Sequence, residues 1–333
     1  MFFGWGIWPA YFRFTFPAYK PFRLKHIDLL KAFSCMTNPK FIQFKTSDKL
    51  VLPGLLYEAK NSKTAAIYLH GNGSSSIFYH EDDYLAQTLN KKGISLLLFN
   101  NRGAHIIKKL TVKKGGVEER KQYGMAYEKI KECIQDIDGA IAFLKKQGYK
   151  KFYLIGSSTG ANKICVYNYY KPENSISKYV LVSGGDDTGI YYSMFGRAKF
   201  MKLLKRSREM IKKGKGEEII KEILPDGIFS YQGFWDIANP DGDYNVFSYT
   251  EALDKVKLSK KKLFRHFSAI KKPTLVIYGD KDEYVPWGIK RIYEVLKKYQ
   301  PGFDFEVVKG ADHRYSGKRQ EQSKIIVNWL SKK

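Results

Sequence analysis

Three polar residues, far apart in the sequence, could together perform nucleophilic catalysis. Ser158 lies at the centre of a G-x-S-x-G motif at residues 156–160, and Asp282 and His313 follow it in two later polar loops. A serine hydroxyl becomes an effective nucleophile when a histidine takes its proton and an acid orients the histidine. The order of these residues predicts Ser158 as the nucleophile, His313 as the base and Asp282 as the orienting acid.

The choice of the acid rests on loop position and leaves alternatives open. Asp282 lies three residues after Gly279, where its side chain can turn back toward a histidine, whereas Asp280 is closer to the end of the preceding apolar run. Asp186 and Asp187 follow an earlier apolar run and are a second location for the acid.

An ester or amide reaction also needs N–H groups that stabilise the developing oxyanion. The residue after the nucleophile usually supplies one of them, which here is the backbone amide of Thr159. The segment His70-Gly71-Asn72-Gly73 is a glycine-rich loop whose backbone can approach a substrate, and we expect the Asn72 amide to be the second donor. His70 is expected to brace this loop.

A sheet with strands that alternate with helices would bring these loops together. An apolar run at residues 152–155 precedes Ser158, and a helix is expected from Ala161 to Tyr170. Similar two-sided apolar runs predict a mostly parallel sheet covered by helices on both faces, with its functional loops at the carboxyl ends of the strands. The expected strands are residues 41–46, 50–59, 65–70, 94–100, 152–155, 179–184, 273–280 and 303–308.

The helices between these strands are predicted from apolar residues at three- and four-residue spacings. We expect one helix from about Ile77 to Lys92, a strongly periodic one from Gln122 to Gly148, one from Pro286 to Lys298 and a last one from about Gly317 to Ser331.

The alternation of strands and helices is interrupted between residues 186 and 269. A basic helix is expected at 198–213 and a short helix at 217–223, followed by an aromatic loop at 227–247. We interpret residues 186–269 as a helical cap inserted before the last two strands of a core formed by residues 41–185 and 270–333. Aromatic residues of this cap are expected to line an apolar acyl pocket, namely Tyr191, Tyr192, Phe195, Phe234 and Trp235.

Composition limits the classes of protein to which the chain can belong. A hydrophobic fraction of 44% over 333 residues indicates a globular protein, and the net charge of +25 comes mainly from lysine. The sequence has neither a nucleic-acid-binding motif nor the Cys and His spacings of a metal site, so we expect no nucleic acid, metal or organic cofactor. Three cysteines without paired spacing indicate a reducing, cytoplasmic location.

Residues 1–40 form an aromatic-rich segment without the features of a signal peptide or a membrane-spanning helix. Residues 1–22 either pack on the domain or contact a membrane surface through their aromatic side chains. The oligomeric state does not follow from the sequence.

Several motifs give the chain a wider resemblance. HGNGSS, FNNRG, GMAYEKIKECIQDIDGAIAFL, GSSTG, GDKDEYVP and GADH occur in this order. Together they resemble the α/β-hydrolase superfamily over residues 41–331, except in the cap region, and within it capped serine esterases and lysophospholipase- or peptidase-like hydrolases. The resemblance implies the same roles for Ser158, Asp282 and His313, and for the Asn72 and Thr159 amides. Ser157 and Asn101 depart from the pattern that is common among such proteins.

The function expected from these residues is hydrolysis of a small-molecule carboxylic ester, with an apolar or aromatic acyl group, through an acyl-enzyme on Ser158. The alternatives are a lipase or lysophospholipase at a membrane surface, an amidase or peptidase, and a non-catalytic binding protein with the same fold.

Overall fold

The computed structural model describes residues 38–78 and 83–332. Most of the predicted N-terminal segment, including residues 1–22, therefore lies outside the described residues.

Eight of the strands form one mixed sheet. They are β1 Lys40–Lys45, β2 Val51–Tyr57, β3 Thr64–Leu69, β4 Ile94–Phe99, β7 Lys151–Ser157, β8 Ile176–Val182, β9 Thr274–Gly279 and β10 Asp304–Val308. Their order in the sheet is β1-β2-β4-β3-β7-β8-β9-β10. β1 and β2 pair antiparallel, β2 and β4 pair antiparallel, and every later neighbour in this order is parallel. Their positions agree with the apolar runs, since strands buried on both faces are apolar throughout.

Helices cover both faces of the sheet. α1 (Asp83–Asn90) and α9 (Arg319–Ser331) contribute to the core on one face. α2 (Cys133–Lys146), α3 (Thr159–Tyr170) and α8 (Ile289–Tyr299) contribute to the core on the other face. A sheet covered in this way is the expected three-layer α/β arrangement.

The segment between β8 and β9 is helical, and within it the structure contains no strand of the sheet. It contains α4 (Asp187–Lys212), α5 (Tyr231–Ala238), α6 (Tyr249–Leu253) and α7 (Arg265–Ser268). Three expectations for this segment were wrong. α4 begins eleven residues before the predicted start at Ala198 and bends at Gly196 (φ 70°). α5 lies inside the predicted aromatic loop. In place of the predicted helix at 217–223, only a 3-10 turn occurs at Lys221–Ile223.

A two-stranded hairpin between β4 and α2 was not predicted. β5 (Lys108–Lys114) pairs with β6 (Val117–Tyr123), and Gly115 and Gly116 form its two-residue turn. Both glycines have positive φ, 57° and 82°, which this turn requires. The predicted helix from Gln122 was therefore wrong at its start: Gln122 belongs to β6, and the helix begins at Cys133 after two short 3-10 turns.

Candidate active site

Ser158 lies in a sharp turn between β7 and α3. Its φ is 55° and its ψ is −128°, a conformation rarely adopted by residues other than glycine. The two glycines of the motif are required by close backbone contacts: a Cβ on Gly156 would lie 2.3 Å from the Gly160 carbonyl oxygen, and one on Gly160 would lie 2.1 Å from the Leu69 carbonyl oxygen. The G-x-S-x-G spacing thus lets the helix begin directly against the strands.

The imidazole of His313 is hydrogen-bonded to the carboxylate of Asp282. His313 Nδ1 lies 2.9 Å from Asp282 Oδ1 and 3.0 Å from Oδ2. The Asp282 side chain is 1% exposed and that of His313 is 14% exposed. Because Nδ1 donates to the carboxylate, Nε2 of the neutral ring carries the lone pair that can accept a proton.

The other candidate acids have different partners. Asp280 Oδ1 accepts from the Gly310 N–H at 2.6 Å, which ties together the loops after β9 and β10. Asp186 accepts from the N–H groups of Gly189 and Thr250, at 2.8 Å and 2.7 Å. Among these aspartates, which all lie in the described part of the chain, Asp282 is the one paired with His313.

Asp187 contacts the nucleophile helix. Its carboxylate accepts from Thr159 Oγ1, at 3.2 Å and 3.1 Å, and from Asn162 Nδ2 at 3.1 Å. Burial, with a smaller contribution from the neighbouring Asp186, raises the pKa of Asp187 to about 7. No sequence pattern predicts this contact, because it depends on where the inserted segment begins relative to α3.

The loop after β3 lies directly against the serine. A Cβ on Gly71 would lie 2.8 Å from Ser158 Cβ and 3.3 Å from its Oγ, so Asn72 is adjacent to the residue that contacts the nucleophile. Thr159 is the first residue of α3, where N–H groups have no partner within the helix. The two predicted oxyanion donors therefore belong to two segments that approach Ser158.

Asn100 and Asn101, which directly follow β4, hold the loop after β3 in place. Asn100 Oδ1 accepts from Ser75 Oγ and from the N–H groups of Ser76 and Ile77, at 2.8–3.2 Å. Asn101 N–H donates to His70 Nε2 at 3.3 Å, and His70 Nδ1 then donates to the Gly71 carbonyl at 2.8 Å. His70 is therefore a bracing residue, as expected.

His70 is held neutral by its surroundings. Burial and the nearby charge of Lys163 hold the pKa of His70 well below its ordinary value. Lys163 itself forms a buried ion pair with Glu128, at 2.6 Å, and donates to Asn101 Oδ1 at 3.3 Å. This ion pair, which was not predicted, connects α3 with the turns before α2, and the hydrogen bond to Asn101 connects α3 with the loop after β4.

The predicted substrate-contacting residues divide into two groups. Tyr191, Tyr192, Phe195 and Trp235 are partly exposed. Phe234 is fully buried and packs edge-on against Phe195, Tyr191 and Phe229, with ring centroids 6.0–6.2 Å apart. Since it has no exposed surface, Phe234 packs in the core of the inserted helices, and its contact with substrate stays a prediction.

A further aromatic side chain contacts the histidine. Tyr284 lies two residues after Asp282, and its ring is 4.6 Å from the His313 ring in an edge-on arrangement. Its exposure of 43% leaves it accessible to a ligand. Its position in the loop after β9 was the only signal that the sequence offered for this contact.

Neither metal-binding clusters nor membrane spans were found in the part of the chain that the structure describes. No group of three or more His, Cys, Asp or Glu side chains there could hold a metal ion. Likewise, none of the helices within 38–78 and 83–332 has the length and apolar character needed to cross a membrane.

Comparison with known families adds a classification. Residues 122–332 match the family described as "Protein of unknown function (DUF1749)", which is more than half of the chain. The chain belongs to the DUF1749 family. A comparison with curated protein sequences gives no match.

Solved structures resemble this DUF1749 protein at low sequence identity. Esterase Pf2001 from Pyrococcus furiosus is 18% identical with a TM-score of 0.53, and the match covers 94% of this chain and 98% of that chain. Est1E from Butyrivibrio proteoclasticus, solved with ferulic acid bound, is 15% identical with a TM-score of 0.57 and coverages of 87% and 98%. Carboxylesterase CesB from Bacillus subtilis is 15% identical with a TM-score of 0.52 and coverages of 90% and 94%.

These likenesses, with the sheet described above, confirm that the chain has the α/β-hydrolase fold. The predicted fold class was therefore correct. The activity does not follow from a likeness in fold alone.

Proposed function

We propose that this protein is a serine hydrolase that cleaves a carboxylic ester. The observation that carries the proposal is the hydrogen bond between His313 and Asp282, at the carboxyl ends of β9 and β10. Ser158 follows β7, which is parallel to these strands, so the loops open at the same edge of the sheet.

The proposed reaction proceeds through a covalent intermediate. His313 Nε2 takes the proton of the Ser158 hydroxyl while Oγ attacks the carbonyl carbon of the ester. The Asn72 and Thr159 N–H groups stabilise the oxyanion, and the leaving alcohol receives the proton from His313. Water, activated by the same histidine, then releases the acid from Ser158. Asp282 holds the ring and stabilises its protonated form.

The substrate is proposed to be a small ester with an apolar or aromatic acyl group. The aromatic side chains of Tyr191, Tyr192, Phe195 and Trp235 keep exposed surface on the inserted helices, and Tyr284 adds another ring beside His313. The structural neighbour Est1E binds ferulic acid, an aromatic acid, which is the kind of acyl group that such side chains can contact. In this proposal residues 186–269 act as a cap over the site.

The proposed location is a reducing compartment such as the cytoplasm, because Cys133 and Cys165 are free and buried. We propose no nucleic-acid partner. A contact with membranes through residues 1–22 is tested by co-sedimentation with anionic liposomes. Equal, negligible binding of the full chain and of a chain that lacks those residues would contradict the contact.

Ester hydrolysis itself provides the functional test. A panel of p-nitrophenyl esters with short, long and aromatic acyl groups is offered to the wild type and to the Ser158→Ala and His313→Ala variants. We expect turnover by the wild type and a fall in kcat of at least about 10³-fold in both variants. Equal turnover by wild type and Ser158→Ala would contradict the proposal, and cleavage of amide but not ester substrates would favour an amidase.

A further inference from the structure

The buried carboxylate of Asp187 contacts α3, the helix that follows Ser158. Asp187 accepts hydrogen bonds from Thr159 and Asn162, which are the first and fourth residues of α3. The side chains involved are buried: Asp187 is 7% exposed, and Thr159 and Asn162 are fully buried. The carboxylate thus holds the first helical turn at two points, immediately after Ser158.

This turn is also the place where the backbone is strained. A residue other than glycine with the φ of Ser158 persists only when its surroundings fix it. Asn162 Nδ2 donates a second hydrogen bond to the Gly185 carbonyl at 2.8 Å, so the first turn of α3 is fastened to the segment that leaves β8. These contacts restrict the direction of the Thr159 N–H, the proposed oxyanion donor.

Asp187 also connects this turn to the inserted helices. It is the first residue of α4, and the next residue, Thr188, donates from Oγ1 to the Ile237 carbonyl in α5 at 3.0 Å. Burial raises the pKa of Tyr191, which lies one helical turn further along α4, and the charge of Asp187 acts in the same direction.

We infer that Asp187 is a positioning residue for the reaction at Ser158, whose carboxylate fixes Thr159 so that the Thr159 N–H meets the oxyanion. This inference rests on the proposed function. It differs from the role of the orienting acid, because Asp187 acts on the oxyanion donor and Asp282 acts on the histidine.

The test compares kcat and KM for a cleaved ester in Asp187→Ala, Thr159→Val, the double variant and Thr159→Ser. Loss of the hydrogen bond between Asp187 and Thr159 should lower kcat about 10–100-fold in Asp187→Ala and in Thr159→Val. KM should stay within about threefold, because misplacing an oxyanion donor affects the transition state more than substrate binding. The double variant should lose no more than either single one, since both changes remove the same contact. Thr159→Ser keeps the hydroxyl and should retain most of the wild-type kcat.

Asp186→Asn is the matched control for stability. Asp186 is also buried, but its carboxylate caps α4 and accepts from the Thr250 N–H, and among the described residues its hydrogen-bond partners lie outside α3. This variant should lower the unfolding temperature while leaving kcat within about threefold. If Asp187→Ala does not fold, the comparison of Thr159→Val with Thr159→Ser still carries the test.

Three outcomes would count against the inference. An unchanged kcat in Thr159→Val, or losses that add in the double variant, would overturn it and leave the proposed function intact. A wild type without Ser158-dependent ester cleavage would overturn both.

Discussion

The backbone at Ser158 is unusually constrained by its neighbours. A non-glycine residue with positive φ costs about 1–3 kcal/mol, which the surrounding packing must offset. Gly71, Gly156 and Gly160 all lie where a Cβ would meet backbone atoms or the serine itself at 2.1–2.8 Å. The chemistry at this serine therefore depends on glycines that carry no functional group.

Substitution of Gly71 tests this dependence. In Gly71→Ala the new methyl group would lie 2.8 Å from Ser158 Cβ, so either the loop or the serine must move. We expect kcat for the cleaved ester to fall about 100-fold, since displacement of a reacting group by about 1 Å has effects of this size. Gly302→Ala is the control, because a Cβ there meets nothing within 4 Å. Equal kcat in the two variants would contradict the close contact.

The identity of the acid can be tested by an isosteric change. Asp282→Asn removes the charge that orients His313 and stabilises its protonated form, so kcat should fall by about 10²–10⁴-fold. Asp280→Asn, whose parent side chain binds the Gly310 N–H, should retain kcat within about threefold. The measurement is the steady-state rate over a range of pH. A larger loss in Asp280→Asn than in Asp282→Asn would reverse the assignment.

Among the elements, α3 carries a buried ion pair. Its Lys163 ammonium and the Glu128 carboxylate form an ion pair with side-chain exposures of 1% and 2%, and Glu128 Oε2 also accepts from Tyr244 OH at 2.8 Å. Burying two charges is costly unless both are paired, so each is needed by the other. This pair joins α3 to the turns before α2 and to the segment inserted between β8 and β9.

Removal of one partner should therefore destabilise the fold. We expect Lys163→Met to lower the free energy of unfolding in urea by about 3–5 kcal/mol, because Glu128 is left buried without its cation. Lys171→Met is the control: its pair with Asp138 is exposed, so the change should cost no more than about 1 kcal/mol. Similar losses of unfolding free energy in the two variants would show that the buried pair contributes no more to stability than the exposed one.

The raised pKa of Asp187, the first residue of α4, predicts how the stability of the fold depends on pH. Its pKa rises from 3.8 to about 7 in the fold through burial, with Asp186 and Glu128 acting in the same direction and the Thr159 hydrogen bond and Lys163 acting against it. A carboxyl whose pKa is raised stabilises the fold at low pH, and this contribution is lost as pH rises through the folded-state pKa.

The stability of Asp187→Asn should accordingly depend less on pH. Relative to this variant, the free energy of unfolding of the wild type should fall by a few kcal/mol between about pH 4 and pH 8. Urea titrations across this range measure the difference, with Asp254→Asn, an exposed site, as the control. A constant difference, or one that grows with pH, would contradict the raised pKa.

The elements that the sequence failed to predict have recognisable physical reasons. The strands of the β5–β6 hairpin are rich in charged residues and largely exposed, so they lack the apolar runs that identified the sheet. The Gly115-Gly116 turn was their one clear signal. α5 is aromatic and contains Gly233, and residues of this kind have weak helix propensity, so packing in the inserted segment decides its structure.

At the scale of the whole molecule, the alternation of apolar runs and helices was sufficient to predict the sheet and its layers. It also placed the loops of Ser158, Asp282 and His313 at one edge, because parallel strands end together. The contacts of Asp187 and Tyr284 could not be predicted in this way. The first depends on where the inserted segment begins relative to α3, and the second depends on the conformation of the loops after β9 and β10. In the proposed function, the choice of substrate depends on the inserted helices.

The central claim is that Ser158 is an activated nucleophile, and covalent labelling tests it most directly. Intact-mass spectrometry of the full chain, after reaction with a fluorophosphonate, counts the adducts on the wild type and on Ser158→Ala. We predict one adduct on the wild type, located at Ser158 by peptide mapping, and none on Ser158→Ala. An unlabelled wild type, or equal labelling of Ser158→Ala, would contradict the account.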